Sequence, residues 1–174
     1  MRGLPKALTN RKENTLGALT DHRRDRQFYQ SAYAKVTFTR EGADRDVLAA
    51  IYARPSLAVR TAAVVKRAFA NSYLCCFASV DGQLVGAARA PSDGVFYATV
   101  LDVAVDPGFQ GAGIGRKMMR ELLRRLPVQK VYLTTTPGKE GFYEKLGFLH
   151  QTNAMGLFPL GAREEAVELG VLVE

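Results

Sequence analysis

The chain has 174 residues, 47% of them hydrophobic and 24% charged, which suits one globular domain with a substantial core. No apolar run reaches the roughly 20 residues that a membrane-spanning helix needs, and the first residues lack the apolar stretch of a secretory signal. The net charge of +7 raises nucleic acid as a partner, but residues 1–35 alone hold eight basic and three acidic side chains. The rest of the chain therefore carries only +2, so neither nucleic acid nor a membrane is an expected partner.

Residues 1–35 combine this basic excess with little hydrophobic periodicity, which predicts a flexible N-terminal extension. The extension is either a solvated tail or an arm that tethers the protein to an acidic partner. Its three acidic residues and few serines fit a transit peptide poorly, so the expected location is the cytoplasm. Residues 36–174 are predicted to form a single folded domain.

Hydrophobic periodicity and turn signals predict an alternation of strands and helices in this domain. In chain order these are a strand at 36–39, helices at 47–52 and 57–70, strands at 73–80, 84–90 and 95–105, a helix at 114–126, a strand at 128–134, a helix around 141–147, and a strand pair at 148–150 and 155–158. Asp81-Gly82 predicts a hairpin turn, and residues 162–171 form either a helix or an edge segment. Adjacent Cys75 and Cys76 point to opposite faces of their strand, which disfavours a disulfide between them.

A glycine-rich stretch, Gln110-Gly111-Ala112-Gly113-Ile114-Gly115, follows the apolar run 101–105 and the break Asp106-Pro107. Glycines at alternate positions leave the backbone N–H groups unobstructed. The first turn of the following helix adds unpaired N–H groups and the positive end of its dipole. The stretch therefore predicts a binding site for a phosphate, most naturally a diphosphate.

Two phosphate-binding loops are excluded at this position. A P-loop needs Gly-Lys followed by Ser or Thr, whereas Gly115 is followed by Arg116-Lys117-Met118. A dinucleotide fingerprint needs its third glycine at position 116 and an acidic residue about twenty positions on, and both are missing. The alternatives left are a Gln-x-x-Gly-x-Gly loop and an ordinary glycine-rich turn. Lys117 is either part of the loop or a solvated helix charge.

A second motif, 141–148, follows the break Pro137-Gly138. Phe142 and Leu146 are four residues apart and share one helical face, and Gly147 suits the position just past a helix end. Taken alone, this pattern would indicate a plain amphipathic helix.

Together, the loop and the Phe142-Tyr143 segment resemble the GNAT superfamily of N-acyltransferases, over roughly residues 36–160. The resemblance implies an α+β fold whose central mixed, mostly antiparallel sheet is splayed at the coenzyme A site and flanked by helices. It implies that Tyr143 protonates the departing thiolate. The cofactor-binding residues it implies are Val103, Ala104 and Val105 on the pantetheine arm, the loop residues Gln110, Gly111, Ala112, Gly113, Ile114, Gly115 and Arg116 on the diphosphate, and Phe142.

The function implied is acetyl transfer from acetyl-CoA to a primary amine by direct attack in a ternary complex, without a metal. Asp102 is the first candidate for the general base, although it could instead pin a neighbouring turn. Asp93, Glu144 and His150 are weaker candidates. The alternative function is a non-catalytic acyl-CoA sensor or interaction module. A homodimer is an open expectation.

The region 86–107 narrows the resemblance to the plastid and cyanobacterial branch described as serotonin, or arylalkylamine, N-acetyltransferases. The matching residues are Gly86, Arg89, Ser92, Asp93, Ala98, Thr99 and Asp102. Members of that branch are also described as acetylating protein lysines and N-termini, so the amine stays open. A plastid is then the alternative location, whereas the segment Gly138-Lys139-Glu140 and the basic extension depart from the branch.

Overall fold

The computed structural model describes residues 34–39, 61–158 and 163–173. This part of the chain contains an open five-stranded sheet in which neighbours follow chain order. The strands are β1 (Lys35–Thr39), β2 (Leu74–Val80), β3 (Gln83–Ala90), β4 (Tyr97–Val105) and β5 (Lys130–Leu133). The helices are α1 (Ala62–Ala70), α2 (Ile114–Arg125), α3 (Glu140–Glu144) and α4 (Arg163–Glu168). Strands β1 to β4 are antiparallel and β5 runs parallel to β4, which confirms the predicted α+β class with a mixed, mostly antiparallel sheet.

The hairpin between β2 and β3 forms as its turn residues predict. Val80 pairs with Gln83, and the two residues between them, Asp81 and Gly82, have φ angles of 50° and 80°. Two left-handed residues make the turn whose twist matches that of the flanking strands, and Asp-Gly is among the sequences that adopt it. Beyond the turn the register shifts by one residue, because Ser79 lies opposite Leu84 whereas Ala78 lies opposite Gly86, and the shifted register places Arg89 opposite Cys75.

Two hydrophobic clusters cover the two faces of the sheet. On one face, α2 buries Ile114, Met118, Met119 and Leu122. Burying each such side chain contributes about 1.5–3 kcal/mol to the stability of the fold, so these contacts anchor the start of α2 to the sheet. On the other face, Phe69 of α1 stacks on Phe77 of β2 with ring centroids 5.8 Å apart.

The two cysteines lie on these opposite faces, as predicted. The Cys75 thiol donates to the carbonyl oxygen of Phe69 under α1, whereas the Cys76 thiol donates to that of Met118 in α2. Both thiols are free and buried, and burial raises the pKa to about 11 for Cys75 and about 12 for Cys76. Their role in the described structure is packing, because a thiol with so high a pKa is not a nucleophile at neutral pH.

The predicted strand pair at 148–150 and 155–158 is wrong, because neither segment joins a ladder. A surface strand is stabilised by burying the side chains of one face. Here Phe148 packs against the core, but Leu149, Met155 and Leu157 are 91%, 100% and 89% exposed, so most of the two segments has no surface to pack on among the described residues. For residues 162–171, where a helix and an edge segment were both possible, the structure has the helix α4.

Several expectations concern residues outside the described ranges. They include the basic extension up to residue 33, the helix at 47–52 and the first residues of the helix predicted from 57. From Thr61 onward that second helix is described, and the Thr61 hydroxyl accepts from the N–H of Val64 at the helix start. Thr61 therefore has the hydroxyl that a helix N-terminus favours.

Candidate active site

The second half of β4 has a partner on only one side. Tyr97 to Val100 pair in parallel with Lys130 to Leu133 of β5, and the pairing stops there. The antiparallel pairing with β3 continues to Val105, which lies opposite Gly86. Residues 101–105 therefore present a strand edge with no β5 partner in the described structure. We call the opening beside this edge the β4–β5 gap, and it matches the splay that the resemblance implies.

A bulge at Asp102 lies beside this gap. Ala87 pairs with Ala104 and Arg89 pairs with Leu101, so β4 has one residue more than β3 between these two pairs. Asp102 has a φ of 52°, in the left-handed region that aspartate tolerates better than most residues. An extra residue of this kind bends a strand and re-aims the neighbouring groups. The bulge thus changes the direction of β4 where it leaves β5.

The Asp102 carboxylate forms an ion pair with Arg89. Its Oδ2 lies 2.5 Å from Nε of Arg89, and the two side chains are only 11% and 14% exposed. Sequence reasoning identified Asp102 but assigned Arg89 no part in the site. The sequence does contain a pattern that predicts this ion pair. Arg89 and Asp102 are each a single charged residue in an apolar run, Ala88-Arg89-Ala90 and Leu101-Asp102-Val103. Opposite charges in adjacent apolar strands indicate a buried pair.

The glycine loop begins with a short 3₁₀ turn, Pro107–Phe109, after β4. Asp106 Oδ1 accepts from the N–H of Gly108 at 2.9 Å, and the N–H of Asp106 donates to the carbonyl of Val85 at 2.8 Å. The Gln110 side chain donates to the carbonyl of Val105 at 2.8 Å. In this structure Gln110 therefore ties the loop to the end of β4, a role that sequence reasoning did not assign to it.

Backbone amides gather at the end of this loop. Gly111 and Gly113 have φ angles of 78° and 81°, conformations that favour glycine. Gly113 is the N-cap of α2 and has no side chain to cap the helix. Within the described residues, no hydrogen bond from the N–H groups of residues 111–116 is found. An uncapped helix N-terminus with free N–H groups attracts anions.

The side chains of the loop divide between the core and the solvent. Ala112 and Ile114 are buried against the α2 face of the sheet, so they anchor the loop, whereas Arg116 is exposed. The Lys117 ammonium donates to the carbonyl of Ala34 at 2.6 Å, which fixes α2 to the start of β1. Lys117 is therefore not simply a solvated helix charge. Its contact with Ala34 explains the position of its ammonium without a role in binding the diphosphate.

Phe142 and Tyr143 bring α3 against the loop. A Cβ atom added to Gly115 would lie 3.5 Å from Cζ of Phe142 and 3.5 Å from Cγ2 of Val105, so the Phe142 ring contacts the first turn of α2 at the end of β4. The Tyr143 ring packs edge-to-face with the rings of Phe142 and Phe148, with centroid distances of 4.9 Å and 6.1 Å. Tyr143 is half-buried, and this burial raises the pKa of its phenol above the usual 10. The phenol is therefore a proton donor at neutral pH.

The weaker candidates for the base have other partners. Asp93 Oδ1 accepts from the N–H groups of Val95, Phe96 and Tyr97, and these bonds lower its pKa, the bond from Tyr97 most. Glu144 pairs with His150 at 3.0 Å on the surface. Asp93 thus shapes the turn before β4, and the other two form an exposed pair.

Within the described ranges, no three His, Cys, Asp or Glu residues group in a way that could hold a metal ion. None of the helices described there has the length and apolar character needed to cross a bilayer.

Comparison with known proteins agrees with this geometry. Residues 71–149 match the family model described as acetyltransferase (GNAT) domain. The chain is 36% identical over 121 residues to serotonin N-acetyltransferase 2, chloroplastic, of Oryza sativa subsp. japonica, covering 66% of this chain and 60% of that protein. It is 40% identical over 80 residues to the uncharacterized N-acetyltransferase ycf52 of Porphyra purpurea, covering 44% and 46%.

Among solved structures, a GNAT family acetyltransferase from Streptococcus pneumoniae superposes with a TM-score of 0.63 at 25% identity, covering 74% of this chain and 98% of that one. The chain spans about half the length of the curated relatives that it matches. The matched segment contains β2 to β5 with the bulge, the glycine loop, α2 and α3. The chain therefore contains a GNAT acetyltransferase domain over residues 71–149.

Proposed function

We propose that the protein transfers an acetyl group from acetyl-CoA to a primary amine. The observation that carries this proposal is the combination of three features: the unpaired edge of β4, the free amides at the start of α2, and the half-buried Tyr143, whose ring packs on Phe142 beside Gly115. A thioester is already reactive, so the protein has mainly to orient the amine and stabilise developing charge.

In this proposal the pantetheine arm lies in the β4–β5 gap against the backbone of Val103, Ala104 and Val105. The diphosphate binds the N–H groups of residues 111–115, with Arg116 beside it. Phe142 supports this site by packing against Gly115. Ala112 and Ile114 contribute through their backbone, since their side chains are buried. Gln110 contributes by tying the loop to Val105.

The proposed reaction is a direct transfer. The amine nitrogen attacks the thioester carbonyl carbon, the carbon–sulfur bond breaks, and the sulfur leaves with the bonding electrons. The phenol of Tyr143 gives its proton to that sulfur, so free coenzyme A leaves as a thiol. Asp102, directly or through a water molecule, accepts the proton that the amine loses. Solvent then restores the proton of Tyr143.

The names of the relatives also bear on which amine is acetylated and where in the cell the protein acts. The rice relative is named a chloroplastic serotonin N-acetyltransferase, so an arylalkylamine is one candidate beside a protein lysine or N-terminus, and a plastid is the alternative to the cytoplasm. The division into an extension at 1–35 and a domain at 36–174 also stays a prediction, as does a homodimer.

The test is thiol release from acetyl-CoA in the presence of three amines: a tryptamine-like amine, a polyamine and a lysine peptide. We expect amine-dependent release with at least one of them. A protein that binds coenzyme A tightly but turns over none of these amines would instead be an acyl-CoA sensor.

A further inference from the structure

Arg89 joins the Asp102 bulge to a different part of the fold. Besides its ion pair with Asp102, its Nη1 lies 3.5 Å from the hydroxyl of Ser72, which in turn donates to the carbonyl of Ala68 at 2.9 Å. Ala68 lies in the last turn of α1. Arg89 also pairs with Cys75 across the β2–β3 ladder. The guanidinium therefore lies between the bulge and the C-terminal end of α1, where a positive charge is favourable.

This arrangement fixes the bulge from the side opposite α2. Asp102 adopts a left-handed conformation that is strained for a residue with a side chain, and such conformations persist where the surroundings hold them. The Asp102 carboxylate is only 11% exposed, so water could replace the Arg89 guanidinium as its partner only if the surrounding residues moved. Arg89 is the described side chain that holds it.

We propose that Arg89 is a positioning residue for acetyl transfer, which rests on the function proposed above. Through its ion pair, Arg89 sets the orientation of the Asp102 carboxylate and holds the backbone of the bulge, which adjoins the β4–β5 gap. It contacts neither substrate. Its loss should therefore slow the reaction of a bound acetyl-CoA more than it weakens binding, because the diphosphate site on α2 lies on the other face of the sheet.

The experiment compares Arg89→Met with Arg89→Lys, and uses Arg120→Met as the matched control. Arg120 is an exposed arginine on α2, outside the proposed site. For Arg89→Met we expect kcat to fall by about 10- to 100-fold, since small misplacements of reacting groups have effects of this size. The KM for acetyl-CoA should stay within about threefold of the original value. Arg89→Lys keeps the charge and should lose only about 3- to 10-fold in kcat, and Arg120→Met should lose nothing.

A double variant tests whether Arg89 acts through Asp102. If it does, Arg89→Met combined with Asp102→Asn should be no slower than the slower of the two single variants. Multiplying effects would contradict the proposal. So would a folded Arg89→Met protein with unchanged kcat, or one in which kcat/KM falls only through KM. If Arg89→Met does not fold, the same comparison of kcat and KM is made with Arg89→Lys. An unchanged kcat in that variant would contradict the proposal.

A readout without turnover separates this proposal from the function itself. In ¹⁵N-labelled protein, the amide resonances of Asp102 and Val103 should move in Arg89→Lys and stay in place in Arg120→Met. Resonances that stay in place in both would overturn the positioning role. If the unmodified protein acetylates no amine but these resonances move as expected, the acetyl-transfer function fails while the control of the bulge by Arg89 stands.

Discussion

The two halves of β4 have the same local conformation over most of their length but different surroundings. Residues 97–100 pair with β5 on one side, and on the other side Ala98 bridges to Ser92 in the turn that follows β3. Ala98 and Val100 are buried under α2. Residues 101–105 are paired on one side, carry the bulge, and lead into the glycine loop. The first half thus builds the sheet, whereas the second half leaves backbone groups unpaired that a ligand can use.

The separation of the halves depends on residues around them. In the first half, the Asp93 turn and the pairing with β5 fix the strand. In the second half, Arg89, Gln110 and Asp106 keep the strand and loop in place where β5 no longer supports them. Contacts from β3 and from the glycine loop therefore support the second half of β4 where its pairing with β5 has ended.

The largest effect should come from Tyr143→Phe, next to the open half. Because phenylalanine keeps the ring contacts and loses the proton donor, kcat should fall by about 100-fold. Affinity for coenzyme A, measured by titration calorimetry, should change by less than about threefold. Equal losses in both quantities would remove the acid role and leave Tyr143 as a packing residue.

Val100→Ala tests the closed half. The side chain of Val100 is 2% exposed under α2, and its truncation should lower the free energy of unfolding by about 2 kcal/mol. Because Val100 lies before the strands part, kcat per folded molecule should be unchanged. Chemical denaturation and steady-state kinetics on the same preparation measure both quantities. A loss of kcat without a loss of stability would show that the two halves are not distinct.

Gly113→Ala tests the diphosphate site, with Gly138→Ala as its matched control. The two glycines have φ angles of 81° and 83°, so an added Cβ strains both backbones alike. That strain is about 1–2 kcal/mol. At position 113 the loop can relieve the strain only by moving the N–H groups of the proposed diphosphate site, so coenzyme A binding should weaken by about 10-fold. At Gly138, where an added Cβ meets open space, the strain should lower stability alone. Equal weakening by both variants would count against the loop as the diphosphate site.

The smallest effect concerns Asp93, at the start of the closed half. Backbone N–H groups lower its pKa, so the ionised form stabilises the fold above the ordinary aspartate pKa of about 3.9. This contribution is lost as the pH falls through the lower pKa of the folded state. Asp93→Asn should therefore unfold with a shallower dependence on pH below about 4, measured as the midpoint of thermal unfolding. An unchanged pH dependence would mean that the turn does not depend on this charge.

The sequence was sufficient for features with a local cause. Asp81-Gly82 predicts its turn, Gly147 predicts the left-handed residue after α3, and the spacing of the apolar residues in α2 predicts its buried face. The glycine loop was also visible, because its conformation depends on residues adjacent in the chain. The catalytic and binding roles of these residues stay predictions.

Features that depend on distant residues were missed. The bulge at Asp102 is defined by its register against β3, and the contact of Lys117 with Ala34 joins residues far apart in the sequence. The strand pair after Phe148 was predicted from apolar residues whose burial requires a neighbouring surface that the described structure does not provide. Alternation alone indicates that a segment can form a strand but not that it has a partner.

The most direct test is a crystal structure of the protein with a non-reactive acetyl-CoA analogue. We expect the diphosphate within hydrogen-bond distance of the amides of residues 111–115, and the sulfur position beside the hydroxyl of Tyr143. Coenzyme A bound away from the start of α2, or a Tyr143 hydroxyl directed away from the sulfur, would contradict the proposed site.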